Sequence, residues 1–324
     1  MSVPPILGDR LRLPVIASPL FIISCPELVI AQSVSGIVGS FPSLNARPQP
    51  EFRNWLAQIT DALAEHDAKN PDSPSAPFAV NLIVHKTNDR LHADLAVLEE
   101  FRVPIVITSL GALPAVNERI HDYGGIVLHD VINDSFARKA VDKGADGLIA
   151  VAAGAGGHAG KQSPFALIQE IRTWFDGPLA LSGAITNGNA ILAAQAVGAD
   201  LAYIGSLFIA TEEANAAAEY KRMMVDSTAA DIVYSNLFTG VHGNYLRGSI
   251  EAAGLDPDSL PNSDPSAMNF ATGGMTEAKA WRDIWGAGQG VGGVHAVRPT
   301  STVVARLEAE YHSARERLAL VPVG

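Results

Sequence analysis

Short apolar runs alternate along the chain with segments whose apolar positions recur every three or four residues. These are the spacings of buried strands and amphipathic helices. Val15–Ala17 opens the series, followed by a helical stretch over residues 26–35. Residues 36–39 predict a second, weaker strand and 50–66 a helix, and the Pro/Ser-rich stretch 70–77 reads as a loop. Phe78–Ile83 is the third strand, with a helix over 90–101. Residues 105–108 and 115–123, then 126–128 and 135–143, form the fourth and fifth units. Residues 148–151 and 165–174, separated by a glycine-rich loop, form the sixth, and 179–181 with 187–197 the seventh. Leu201–Ile204 is the eighth strand. Eight βα units in order, with no strong linker between them, predict an α/β fold closed into a (β/α)8 TIM barrel.

Beyond the eighth strand the pattern changes. Residues 212–227 look helical, 229–293 are rich in Gly, Asn, Asp and Pro, and a final helix over 301–318 is expected to pack back on the barrel. Residues 1–210 and 295–324 are therefore assigned to the barrel. Residues 211–294 are assigned to an extended, partly helical cap over its catalytic face.

Composition narrows the partners. The 324 residues suit one α/β barrel, and 48% hydrophobic against 18% charged residues implies a large core and excludes disorder. Net charge is −11 and no Lys/Arg cluster occurs, so no nucleic-acid partner is expected. Cys25 is the only cysteine, which rules out an internal disulfide and fits a cytoplasmic location. Arg10 and Arg12 ahead of an apolar run ending at Cys25 imitate a lipoprotein leader, but the same residues are needed to begin the barrel. No apolar run reaches the ~20 residues of a membrane span, so no membrane partner is expected.

In a (β/α)8 barrel the chemistry lies at the C-terminal ends of the strands, and phosphate often binds after the seventh and eighth. Strand seven runs into Leu181-Ser182-Gly183-Ala184-Ile185, and strand eight into Ile204-Gly205-Ser206-Leu207-Phe208. Either turn alone reads as an ordinary tight βα connection. Together, Gly183 and Gly205 let the backbone approach an anion and aim the following N–H groups at it. Directly after strand six comes Ala153-Gly154-Ala155-Gly156-Gly157-His158-Ala159-Gly160. The glycines leave room for a flat ligand, and a neutral imidazole at the mouth can take a proton near pH 7.

Other features carry less. Gly288-Gln289-Gly290-Val291-Gly292-Gly293 matches the dinucleotide pattern GxGxxG but lacks the required strand before and helix after. It reads instead as a segment bordering the site, with Gln289 a candidate contact. His129-Asp130 ends strand five and either reaches the site or braces it. In Thr239-Gly240-Val241-His242-Gly243-Asn244-Tyr245-Leu246-Arg247, His242 or Arg247 is a candidate anion reader, with an exposed salt bridge as the plainer reading. No HExxH, CxxC or other metal-ligand spacing occurs, so no metal is expected.

The Gly-Gly-His loop, Ser182-Gly183-Ala184, Leu192-Ala193-Ala194-Gln195-Ala196-Val197-Gly198-Ala199-Asp200 and Ile204-Gly205-Ser206-Leu207-Phe208 together resemble the nitronate monooxygenase family, formerly 2-nitropropane dioxygenases. The resemblance extends to related FMN-dependent enoyl and quinone reductases. It spans about residues 14–208, with a weaker echo over 281–290. It implies noncovalent FMN on a barrel. By matching positions, Pro19 and Leu20 run along the flavin, and Asn81, Val151 and Gly156 contact it. Gly183, Ala184, Gly205 and Ser206 cradle its phosphate, and His158 is the catalytic histidine. The chain departs from the family at Ala152 and Gly154, where Gly and Glu are usual, and at Val151, where Gln is common. It departs again at Pro19-Leu20, where Gly-Met stands, and at Asp130, where some relatives carry Lys.

The resemblance implies FMN-dependent oxidation of alkyl nitronates or nitroalkanes, so a small-molecule substrate and dioxygen are the expected partners, and a homodimer is an allowed assembly. The alternatives are NAD(P)H-dependent reduction of a quinone or enoyl thioester, and a non-flavin phosphate-binding isomerase or aldolase. Between residues 229 and 293 only Arg247, Lys279 and Arg282 are basic, which favours a small substrate over a nicotinamide nucleotide.

Overall fold

The computed structural model describes residues 4–8, 10–263 and 283–319. Its strands, in chain order, are β1 (Val15–Ala17), β2 (Gly39–Pro42), β3 (Phe78–Ile83), β4 (Ile105–Ser109), β5 (Ile126–Val131) and β6 (Gly147–Val151). They continue with β7 (Gly157–His158), β8 (Leu179–Ser182), β9 (Leu201–Ile204), β10 (Ile232–Ser235) and β11 (Gly243–Leu246). Eight of them form one parallel sheet in the order β1-β9-β8-β6-β5-β4-β3-β2. A parallel bridge between Ile16 and Val38, with Ala17 N–H donating to Val38 O at 2.8 Å, joins its two edges. The result is the expected (β/α)8 barrel.

Two apolar layers hold it. Ile16, Val38, Ala79, Ile107, Leu128, Ile149, Ala180 and Leu201 fill the barrel interior, while the alternate strand residues pack outward against the helices. A strand's side chains repeat every second residue. Two positions further along, the same inward faces therefore carry Ser18, Ser40, Asn81, Ser109, Asp130, Ser182 and Tyr203, with Val151 the one apolar member. The interior thus turns polar at its C-terminal mouth.

Two expectations are corrected. The second strand is β2 at Gly39–Pro42 and not 36–39, because Gly36 at φ +88° closes the helix Pro26–Val34. Its N–H and that of Ile37 return to Ser33 O and Gln32 O. Of the helix expected over 212–227, only Ala218–Asp226 forms. The chain before it is used for ties instead: the Glu213 carboxylate accepts from Thr300 N–H and Oγ1 at 3.0 and 2.8 Å, and Asn215 N–H donates to Ile23 O at 3.0 Å. The segment after β9 is partly helical, as expected. Besides the short helix Arg247–Ala252 it holds the antiparallel pair β10–β11, and β11 pairs in turn with β7.

The last helix, Thr300–Ala319, packs against Gly188–Ala196 as expected. Tyr311 Oη donates to Gln195 Oε1 at 2.6 Å, and Gly188 N–H donates to Glu310 Oε2 at 2.9 Å. No described helix is long and apolar enough to cross a membrane.

Gly188 sets how closely those two helices approach, since a Cβ there would collide with the backbone of Glu310 and Tyr311. Alanine would gain under ~1 kcal/mol of helix propensity, whereas overpacking costs about 1–3 kcal/mol. Gly188→Ala should therefore lower the urea midpoint of unfolding at constant m, and an unchanged or raised midpoint would contradict the contact.

Candidate active site

Two turns at the mouth present donors with nothing to donate to. After β8, Gly183 takes φ +148° and Ala184 takes φ +54°, a conformation an L-residue adopts at a cost of order 1–3 kcal/mol. The N–H groups of Ala184 and Ile185 find no acceptor among the described residues, and neither do those of Gly205 and Ser206 after β9, whereas the Ser182–Tyr203 register turns Gly183 N–H toward Tyr203 O. Ile185 is buried. Buried N–H groups are almost always paired, so this set fits an anion received by backbone donors. The turns also close on each other through residues 288–290. Gly288 N–H donates to Ser206 Oγ at 2.8 Å, and a Cβ on Gly290 would stand 3.1 Å from Ala184 Cα. Leu20 borders the same place, 3.4 Å from where a Gly205 Cβ would sit, and its carbonyl accepts from Asn45 Nδ2 at 2.9 Å.

The loop after β6 is not the open ribbon its glycines suggest. Gly157 and His158 form β7 and pair with Asn244 and Gly243 of β11. Asn244 Nδ2 donates to Ala155 O at 2.6 Å, Ala159 N–H to His242 O at 3.2 Å, and Tyr234 Oη to Ala159 O at 3.0 Å. On the other side Gln289 N–H donates to Gly154 O at 2.9 Å, and a Cβ on Gly156 would lie 2.7 Å from Gly288 N. His158 is thus held between the barrel and the segment after β9. Its Nε2 lies 2.9 Å from Thr239 Oγ1, and burial lowers its pKa to about 4, which keeps the ring neutral at pH 7.

The polar mouth layer supplies a floor. Asn81 Nδ2 donates to Ser109 Oγ at 2.7 Å and Ser109 Oγ donates to Asp130 Oδ2 at 2.6 Å, a directed chain across β3, β4 and β5. Burial raises the Asp130 carboxyl to about 6, with the Ser109 hydrogen bond opposing it. Tyr203 closes the layer, hydrogen-bonded to Ser18, its hydroxyl pKa pushed up by burial and by the nearby Asp130. His129 faces the opposite way. It bonds Thr108 at 2.6 Å on the helix side, and burial, then Lys143, lowers its pKa to about 4. The expected pair His129-Asp130 is therefore split between bracing and the mouth.

Leu20, Asn81, Gly156, Gly183, Ala184, Gly205, Ser206 and His158 belong to these turns, this loop and this floor, and Pro19 stands between Ser18 and Leu20 at the end of β1. Val151 lines the floor with its side chain, and its carbonyl is taken by Gly160 N–H at 3.2 Å. Gln289 reaches the site, its Oε1 3.1 Å from the place of a Gly154 Cβ. Arg247 does not, since it holds Asp258 through two 2.8 Å bonds. His242 stacks on Tyr234 at 5.0 Å. Gly288–Gly293 carries a 3-10 turn with no helix after it, so it is no dinucleotide fold. Trp281, Lys279 and Arg282 lie outside the described residues. Sequence reading missed Thr239, Asn244 and Ser109 as site residues. Only Ser109 left a signal, through the period of two that puts it above Ile107.

With this geometry in hand, the comparisons are specific. The model of the nitronate monooxygenase family matches residues 9–307. A Mycobacterium tuberculosis protein provisionally named a monooxygenase is 29% identical over 232 residues, covering 67% of this chain but only 61% of its relative. The nitronate monooxygenase of Paraburkholderia phytofirmans is 26% identical over 285 residues, 82% of this chain and 75% of that one. Among solved structures, nitroalkane oxidase from Streptomyces ansochromogenes superposes with a TM-score of 0.80 at 23% identity, covering 96% of this chain and 99% of that one. FabK from Thermotoga maritima gives 0.76 at 23%, covering 97% and 96%. At these identities the structural likeness establishes the fold.

Three titrating groups, buried His129 and half-buried His158 and Asp130, oppose one another in acid. His129 and His158, lowered from 6.5 to about 4, leave the folded state short of protons between those values, so stability falls as pH drops through that window. Asp130, raised from 3.8 to about 6, does the reverse and favours the folded state as pH falls from 6 to 3.8. Asp130→Asn should accordingly lose stability more steeply than the parent between pH 6 and 4, read as melting temperature at half-unit steps. Parallel curves would contradict the burial assigned to Asp130.

Proposed function

The chain belongs to the nitronate monooxygenase family, and on that premise we propose that it is an FMN-dependent enzyme oxidising alkyl nitronates, and nitroalkanes through them, with dioxygen. It is an oxidoreductase of a family that is flavin-dependent in general. The observation that carries the finer reading is the set of unpaired N–H groups on Ala184, Ile185, Gly205 and Ser206, set next to a loop that holds a neutral histidine.

Those donors fit a phosphate, and the polar floor of Asn81, Ser109 and Asp130 fits the heteroatom edge of a flat ring system. Gly183, Ala184, Gly205 and Ser206 would hold the FMN phosphate, with Pro19, Leu20, Asn81, Val151 and Gly156 along the rest of the cofactor. Electron acceptance and the reaction with dioxygen are what the flavin supplies when bound. The protein supplies position and a proton site. His158, neutral at working pH, takes the α-proton of a neutral nitroalkane; with a preformed nitronate it only orients. The described residues 232–246 and 286–290, which lie against the loop that holds His158, would roof the site and exclude water from the ring.

Arg247 is committed to Asp258, which removes a candidate reader for a nucleotide phosphate and supports the small substrate over NADPH.

Two variants test the assignment. Gly205 has tight room for a methyl, 3.3 Å to Ser18 Cβ and 3.4 Å to Leu20 Cδ2, contacts that a shift of a few tenths of an ångström relieves, and φ −111° that any residue adopts. Gly205→Ala should keep stoichiometric flavin while Gly205→Asp, which sets a carboxylate against the phosphate, should lose it. Flavin retained in the aspartate variant would remove the cradle. His158→Ala should keep flavin and melting temperature but lose about 10²–10⁴-fold of its turnover of a neutral nitroalkane, and far less with a preformed nitronate. Equal losses on both substrates would argue against a base.

A further inference from the structure

Each of the eight barrel strands sends one side chain into the mouth layer, and Asp130 is the only acid among them. It is half-buried, and Tyr203 on β9 feels its charge, so the carboxyl points toward the barrel axis. The strand order sets what lies in front of it. Around the closed sheet, β9 and β8 stand four strands from β4 and β3 respectively, on opposite sides of the mouth. A flat ligand anchored by a phosphate on the turns after β8 and β9 therefore has Asn81 and Ser109 across from its anchor, with Asp130 on the next strand.

That side of the mouth has no side-chain hydrogen to offer. Ile107 O can only accept, so Asn81 faces it with Nδ2, at 3.0 Å, and the amide's other hydrogen goes to Ser109 Oγ at 2.7 Å. The single hydroxyl proton of Ser109 goes in turn to Asp130 Oδ2 at 2.6 Å. What β3, β4 and β5 present is an amide oxygen and a carboxylate, both acceptors. Neither can stabilise negative charge on a ligand.

We propose that Asp130 sets the redox balance of the bound flavin, its carboxylate opposing the negatively charged reduced ring and so making that ring a stronger electron donor. The inference rests on the reading of the site as an FMN site. Reduction near neutral pH adds two electrons, from the organic substrate, and one proton, from substrate or water. The ring thereby gains one negative charge. Electrons leaving for dioxygen gain the driving force that their entry from the substrate loses. Burial brings the Asp130 carboxyl to about 6 with no charged side chain contributing, so it is ionised at pH 8 and largely protonated at pH 5. Of the titratable groups around it, Tyr203 stays protonated and His158 neutral, while His129 and the Lys143 that acts on it lie on the helix side. Once protonated, the carboxyl loses its charge and has an O–H to donate.

The test is the midpoint potential of the flavin-loaded protein, equilibrated against a dye of known potential, in the parent, Asp130→Asn, Asp130→Ser and Asp130→Glu. At pH 8 and any fixed potential, the ratio of reduced to oxidised flavin should be about 10–100-fold higher in the asparagine and serine variants than in the parent, the scale of one charge close to another. The glutamate variant should match the parent. At pH 5 the gap should close, which a merely structural role for Asp130 would not produce. Flavin bound at the parent's potential in either uncharged variant at pH 8 overturns the inference, and so does a gap that persists unchanged at pH 5. A parent that takes up no FMN removes the FMN reading, and the inference with it.

Discussion

The two-residue pairing of Gly157 and His158 with Asn244 and Gly243 is the contact on which the rest of the site depends. A loop with four glycines in seven residues pays a large entropy to hold one conformation, and nothing in the barrel alone would oblige it to. The backbone ladder, the Asn244 amide on Ala155 O and the Tyr234 hydroxyl on Ala159 O fix it from one side. The backbone of Gln289 fixes it from the other. Glycine is required here for closeness as much as for freedom, since a Cβ on Gly243 would stand 2.7 Å from Gly157 O. The histidine is therefore held by backbone pairing like a residue of a barrel strand, though no barrel strand carries it.

The barrel's own contribution is a rigid frame that changes character at a definite height. Aliphatic side chains fill the interior as far as Ile107, Leu128 and Ile149, and one repeat higher the same faces carry hydroxyls, an amide and a carboxyl. The polar layer would be costly to bury unpaired. Asn81, Ser109 and Asp130 satisfy one another in a chain of donated bonds, at the level where the strand-end turns turn their N–H groups loose. Donors left unpaired on two turns thus stand beside a floor that is paired.

Much of this was legible in the amino-acid order. Phe78–Ile83, Val15–Ala17 and Leu201–Ile204 stand where their apolar runs place them, because buried parallel strands are continuous apolar runs. The glycine turns at 183 and 205 were legible because the fold tells where to look. Gly36 misled: a glycine after an apolar helix was read into a strand, when its positive φ ends the helix instead. β10 and β11 were hidden because four-residue strands in a Gly- and Asn-rich stretch carry little periodicity, and their partner β7 lies about 85 residues away. Thr239 was illegible for the same reason, since no local pattern shows which distant histidine a loop hydroxyl will meet. Arg247 was weighed correctly as a salt bridge, though its partner Asp258 could not be named.

The central claim is that this site brings a bound flavin and a small anionic substrate together beside one histidine, in preference to a nicotinamide nucleotide. The most direct measurement is anaerobic stopped-flow mixing of the flavin-loaded protein with an alkyl nitronate, NADH and NADPH in turn, following the loss of flavin absorbance. The account predicts that the nitronate bleaches the flavin at least about tenfold faster than either nucleotide, a barrier difference of ~1.4 kcal/mol. Rapid bleaching by NADH or NADPH with no response to the nitronate would contradict it.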